Sequence, residues 1–321
     1  MKPHIVFLSL VLLPWGLSCH LGESETRTSP VETEQATQEI STAAATVDAL
    51  RVLSYNTYYV FSEGTQVAAA TDWIAGQAPD VVALQELTNI TEDRLSKLAA
   101  GWGHSHSALL KTSGFSVGLT SNLPIEVIDR VLNGLHHGTL HARVDDIHVF
   151  VVHLSPFQWE TRRSEADLLL ARIQPLLEQH REVLVLGDFN ALSSADRQLL
   201  EAQPGLLQKA RASDAEHAHV LNLREGMFDY SVMQKFFDAG LEDAALSFLE
   251  ESHDVRWTIP TSIWTEGKVE PPGHGSRVDF VLADPTLTDA AASARIVRSG
   301  IVNRTSDHYP VLVEFHRQGQ R

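Results

Sequence analysis

Five short apolar runs, each beside a polar cluster, recur along this chain in a pattern that few folds can accommodate. They read LRVLSYN (Leu50 to Asn56), DVVALQE (Asp80 to Glu86), HVFVVHLSP (His148 to Pro156), VLVLGDFNA (Val183 to Ala191), and RVDFVLAD with SDHYPV (Arg277 to Asp284 and Ser306 to Val311). Runs this short, rich in Val and Leu, read as buried strands rather than helices. Strand ends that share one rim are where mixed α/β proteins gather their chemistry.

The polar residues so placed are Asn56, Glu86, His153, Asp188, Asn190, Asp279, Asp307 and His308. Several carboxylates with no matching basic residues imply a divalent cation. Hard oxygen donors without a cysteine cluster indicate Mg²⁺, with Mn²⁺ as the alternative. Each residue also has a bland reading. Asn56 could close an Asx turn, Glu86 could cap a helix near Asn89, and the Gly, Asp and Asn of GDFN could simply turn the chain after a strand.

Taken in order, with GDFN and SDH both intact, the segments resemble the endonuclease/exonuclease/phosphatase superfamily from about Asp48 to about Phe315. The resemblance implies an α/β fold, a four-layer α/β/β/α sandwich of two mixed sheets of the DNase I type. It assigns Glu86, Asn56 and Asp307 to the metal. Asp188 would orient and deprotonate the attacking water, while Asn190, His153 and His308 would hold phosphate oxygens. Asp279 would fix the His308 imidazole, as carboxylates do for catalytic histidines. The implied activity is metal-dependent hydrolysis of a phosphoester.

The chain begins with Lys2, the apolar stretch Ile5 to Leu13 and the lone cysteine, Cys19. A run of this length falls short of the ~20 residues a helix needs to span a bilayer, so residues 1–19 read as an export signal. The cysteine at its end resembles the lipidated Cys of a bacterial lipoprotein, which would hold the protein at a membrane surface; a periplasmic or secreted protein with an ordinary signal is the alternative. Residues 20–47, rich in Thr, Ser, Glu and Ala, read as a flexible tether. Residues 48–317 read as one catalytic domain.

A formal net charge of −16 disfavours long nucleic acid, whose binding rests on a basic footprint. A small or lipid-linked phosphoester is the expected partner. An extracytoplasmic nuclease is the runner-up, and an inactive surface protein that keeps the fold is the reading from outside enzymology. Nothing in the sequence points to a protein partner.

The periodicity predicts helices at Thr65 to Gln77, Thr91 to Ala99, Glu160 to Gln179 and Val232 to Ala239, with strands between and after them. A strand is expected over Phe115 to Thr120, and loops over Glu201 to Gly205 and His217 to Gly226. The region Ser193 to Trp257 is the natural candidate for substrate choice. The histidine pairs His104 and His106, His136 and His137, and His217 and His219 read as polar surface. Tyr58, Tyr59, Phe157 and Trp159 are ambiguous between packing and a substrate platform.

Overall fold

The computed structural model describes residues 49–251, 256–264, 274–298 and 300–317. The export signal and the tether lie outside them. Along the chain the strands are β1 (Ala49–Asn56), β2 (Val81–Gln85), β3 (His106–Leu109), β4 (Gly118–Ser121), β5 (Ile125–Val131), β6 (Thr139–Val144), β7 (Ile147–His153) and β8 (Val183–Asp188). A short hairpin follows, β9 (Leu223–Arg224) and β10 (Met227–Phe228), then β11 (Glu242–Asp243), β12 (Asp279–Ala283), β13 (Ala291–Ile296) and β14 (Val311–His316). The helices used below are α1 (Val67–Gln77), α2 (Glu92–Gly101), α3 (Trp159–Glu178), α4 (Arg197–Glu201), α5 (Pro204–Glu216) and α6 (Ser231–Asp238).

Two six-stranded sheets form, ordered β13-β14-β1-β2-β4-β3 and β11-β12-β8-β7-β6-β5. Each contains one parallel pair, β1 with β2 and β7 with β8, among antiparallel neighbours. A parallel pair needs a crossover, and α1 and α3 supply the two crossovers. The sheets stack face to face with helices outside, which is the DNase I-like sandwich.

Strand alternation builds the layers. Leu50 and Val52 of β1 join Val149, Val151, Leu184 and Leu186 in the core between the sheets. Leu53 and Tyr55 turn the other way, onto Ala70 and Ile74 of α1. Likewise Val183 and Val185 of β8 pack with Leu169 and Ile173 of α3 and with Phe236 of α6. Full burial of each such side chain contributes ~1.5–3 kcal/mol, so register slips that expose one face are strongly disfavoured.

Two expectations are corrected. Glu201 to Gly205 is not a loop: α4 ends at Glu201 and α5 starts at Pro204, a position where the missing proline N–H costs nothing. The strand expected from Phe115 begins only at Gly118. Instead of pairing regularly, the preceding residues bridge two segments, with Ser116 accepting from the Leu87 N–H and Val117 accepting from the Leu110 N–H.

Candidate active site

Three neighbouring strands bring three site residues level. His153 at the end of β7 pairs with Asp188 at the end of β8, and Asp188 pairs with Asp279 at the start of β12. Because β12 and β14 run antiparallel to their neighbours, their beginnings reach the rim that β1, β2, β7 and β8 reach with their ends. Asp307 and His308 arrive there just ahead of β14, and Asn56 and Glu86 arrive from the first sheet. Gly187 makes the approach of β8 to β7 workable. Its φ is +142°, and a Cβ there would stand 2.0 Å from the Val152 carbonyl oxygen.

Asp188 is the hub. Its Oδ2 accepts from Asn56 Nδ2 at 3.0 Å and lies 3.5 Å from His153 Nε2 and 3.8 Å from His308 Nε2. Its Oδ1 accepts from the Asn190 N–H at 2.8 Å, while Asn190 Nδ2 donates to the Leu154 carbonyl at 3.0 Å. Asn56 Nδ2 also reaches Glu86 Oε1 at 3.4 Å, so one amide joins two carboxylates. His308 Nδ1 faces Asp279 Oδ2 at 2.8 Å. That contact fixes the orientation of the ring and leaves Nε2 toward Asp188. Asn56, Glu86, His153, Asp188, Asp279, Asp307 and His308 are all buried, and Asn190 is half-buried. All eight residues singled out from the sequence therefore belong to one neighbourhood.

The electrostatics follow from crowding acids in a dry place. Burial, then Asp307, push Glu86 up to about 8. Burial and Asp279 push Asp188 up to about 7, even though His308 pulls it back. His308 shows the converse: burial opposes its charge, yet Asp279, Asp188 and Asp307 hold its imidazolium well above the usual histidine range. His153 has no such support, and burial beside His137 and His308 keeps it neutral, well below that range. Two imidazoles in one site thus carry opposite protonation states, set by their neighbours.

Asp188, Asp279 and His308 bring potential ligand atoms within 4.8 Å of one another; with its imidazole protonated His308 has no lone pair to give, so a cation drawn to this cluster would be held by carboxylates. Asp279 Oδ1 is buried without a hydrogen-bond partner. Among the described residues, Glu86, Asp188 and Asp279 form no ion pair with Lys or Arg. Oxygen-rich, acid-crowded and short of basic partners, the donor set fits a hard divalent cation.

The endonuclease/exonuclease/phosphatase family model matches residues 53–308. The chain belongs to that family. Members of the family are divalent-metal-dependent phosphoesterases, and this chain is an enzyme of that kind. Similar solved structures include an AP endonuclease from Archaeoglobus fulgidus (17% identity, TM-score 0.57, covering 84% of this chain and 100% of that one). Another is a 3′ phosphatase from Neisseria bound to a product DNA hairpin (17% identity, TM-score 0.60, covering 83% and 99%). A third is an endonuclease/exonuclease/phosphatase protein from Beutenbergia cavernae (18% identity, TM-score 0.55, covering 84% and 72%). At this identity they establish the shared fold. Comparison with curated protein sequences finds no match.

The site also holds residues whose part in it the sequence did not show. Trp264 Nε1 donates to Asp307 Oδ2 at 3.2 Å, and the Tyr59 N–H donates to Glu86 Oε2 at 3.3 Å. The latter depends on an unusual stretch, Tyr58 to Glu63, in which every residue has a positive φ. His137 stacks on His153 with ring centroids 4.0 Å apart. Reading His104 and His137 as surface is therefore wrong, since both are buried. His104 is satisfied at both nitrogens, by Thr120 Oγ1 and the Pro79 carbonyl, each at 2.8 Å; burial lowers its pKa, so no charge is buried with it. Phe157 meets His136 and His219 edge-on, and Arg224 lies over the Trp159 ring at the start of α3.

Proposed function

We propose that this protein hydrolyses phosphate esters outside the cytoplasm, by direct attack of water on a small or lipid-linked phosphoester, with Mg²⁺ as its cation. The observation that carries the reading is the single hub at Asp188. A carboxylate held by Asn56 and the Asn190 N–H, and flanked by one neutral and one charged imidazole, is placed and poised to take a proton from water. Asp188, with burial lifting it to about 7, is a far better base near neutral pH than an ordinary aspartate.

The remaining roles follow. Glu86, Asp307 and Asn56 would hold the cation, as their oxygen donors suit it. A bound divalent cation supplies charge stabilisation at a phosphoryl oxygen. His308, positive and braced by Asp279, stabilises negative charge gathering on the phosphoryl group, and its Nε2 is the atom available to donate. His153 is neutral and acts as a hydrogen-bond partner rather than a charge. Asn190 has one Nδ2 hydrogen on Leu154, which leaves the second for a phosphate oxygen.

Export rests on the signal-like residues 1–19, and attachment to a membrane on Cys19. The net charge of −16 supports a substrate other than long nucleic acid. A second reading, an extracytoplasmic nuclease, is favoured by the likeness to structures described as an AP endonuclease and a DNA-bound 3′ phosphatase. Purified protein offered plasmid DNA, nucleotides and lipid phosphoesters with each divalent ion decides between them. Faster release from lipid or small esters supports the first reading, and preferential DNA cleavage replaces it with the second.

A further inference from the structure

Beside Asn190 lies a cavity of about 80 Å³ under α5, walled by Leu206, Ala210, Phe228 and Val278 among other apolar side chains. It draws its walls from α5, the β9-β10 hairpin, α6 and the approach to β12, so much of it comes from the stretch between GDFN and β12. Arg162, Asn222 and Asp229 supply polar atoms to the same cavity.

We infer that this cavity seats the leaving group of the substrate, and that it takes an uncharged, mainly apolar group bearing a carbonyl oxygen, such as a fatty acyl ester. The inference deepens the phosphoesterase reading and rests on it for the words "leaving group".

Location is the first argument. Asn190 lines the cavity and is two residues from Asp188, so a phosphoester held at the hub extends into this space with little travel. Hydrogen-bonding demand points the same way. Arg162 is 3% exposed; it donates through Nη1 to the Ser155 carbonyl at 2.9 Å and through Nη2 to Asn222 Oδ1 at 2.7 Å. Its Nε and the Asn222 Nδ2 are buried donors with no partner in the protein. Leaving a buried donor unpaired costs its desolvation with nothing in return. A ligand oxygen that accepts from either would recover that cost, and both orphans are donors, so the ligand must bring acceptors.

Charge is the third argument. The Arg162 guanidinium already has Asp229 and Glu165 as negative neighbours. Its charge is matched without a ligand, and an anionic leaving group would add negative charge to a balanced pocket. A nucleobase fits less well because its edge needs donors and acceptors met together, whereas the walls are mostly apolar. Apolar walls with a few placed polar groups are the usual form of a small-molecule pocket.

The experiment is calorimetric binding to the full-length chain of phosphate-free monoacylglycerols from butanoyl to octanoyl, alongside adenosine and thymidine. Affinity is expected to rise ~4-fold per added methylene and to exceed that for either nucleoside. Ala210→Trp, which fills the cavity from α5, should abolish the chain-length dependence. Asn222→Asp keeps the acceptor that Arg162 uses but removes the orphaned donor; it should weaken octanoylglycerol binding ~10-fold while its melt stays cooperative. Should Ala210→Trp fail to fold, Asn222→Asp and the wild-type chain-length series still decide. Chain-length-independent binding, or a nucleoside that outcompetes octanoylglycerol, overturns the inference. Acylglycerols bound as expected by a protein that hydrolyses no phosphoester with any divalent ion would instead sink the phosphoesterase reading and leave the acyl pocket standing.

Discussion

Asp188 and Asp279 stand opposite each other across β8 and β12, and the His308 imidazole lies between their carboxylates, 2.8 Å from one and 3.8 Å from the other. Two buried acids on paired strands repel, and the imidazolium between them is what lets both exist there. The arrangement links fold to chemistry, because the strand register that builds the sheet also sets the spacing of the proton-handling groups.

Asp188→Asn is the first test. The amide keeps the shape and can still accept at one atom, but it cannot take a proton. Turnover should fall by ~10²–10⁴, and the melting temperature in EDTA at pH 8 should hold or rise, because a buried like charge has been removed. Steady-state kinetics and thermal melts check both. A variant that unfolds in step with its loss of activity would mark Asp188 as structural.

Metal and pH are linked through the acids. Glu86 and Asp188 titrate near 8 and 7 in the folded protein, well above ordinary carboxylates, so between about pH 4 and 8 these two groups hold more protons in the native state than in the unfolded chain. Buried His137 and His153, held neutral, act in the opposite sense below the usual histidine range, so the acids show above it: by linkage, stability without metal falls as pH rises from about 6.5 to 8, by up to ~1.4 kcal/mol per pH unit for each acid still protonated in the native state. A divalent cation should flatten the slope and release protons on binding. Melts in EDTA and in Mg²⁺ across this range, with calorimetry in buffers of different ionisation enthalpy, measure both effects. A melt indifferent to EDTA would count against the cation.

Asp279→Asn isolates the brace. Removing the nearest carboxylate lowers the His308 pKa toward the normal range, so the alkaline limb of the activity profile should move to lower pH, with kcat reduced ~10–100-fold. The direction follows from sign alone, since a lost negative neighbour disfavours the imidazolium. A simple loss of rate with an unmoved profile would assign Asp279 a packing role.

Much of this site is legible in the sequence, and the reason is local. Strand-end residues such as Asn56, Glu86, His153 and Asp188 sit at fixed offsets from apolar runs, and a run of alternating or continuous burial announces itself. Other features carry no such signal. The left-handed stretch Tyr58 to Glu63 contains no glycine, although each such residue costs ~1–2 kcal/mol, and it persists because it buries Val60 and Phe61 and aims the Tyr59 N–H at Glu86. His137 looked like surface since nothing in a His-His doublet says which ring will find a stacking partner. Trp264 reaches Asp307 from a segment without periodicity. Long-range contacts of this kind depend on the packed fold, which no short window of sequence contains.

Trp264→Phe tests that last contact. A smaller aromatic ring is kept, while the Nε1 donor to Asp307 and part of the edge contact with Tyr58 are lost. Asp307 should then be less firmly oriented, and the Mg²⁺ concentration for half-maximal activity should rise ~3–10-fold with kcat changed less, as expected when a ligand's supporting hydrogen bond is removed. Activity titrated against Mg²⁺ reads this directly, and an unchanged midpoint would show that Asp307 needs no help from Trp264.

Gly187→Ala probes the scaffold rather than the chemistry. The new methyl would meet the Val152 carbonyl at 2.0 Å, with Gln85 Nε2 at 3.1 Å, at a residue whose φ of +142° already excludes side chains. Backbone cannot yield there without separating β7 from β8, the pair that aligns His153 with Asp188. The expected result is a loss of more than ~3 kcal/mol in denaturant titration, or no soluble protein, in the range of the severest single substitutions. The same change at Gly76, where nothing lies within 4 Å of an added Cβ, should be neutral or slightly stabilising, since alanine is the better helix former. Equal behaviour of the two variants would mean that the close approach of β8 to β7 is not what fixes the register of the catalytic rim.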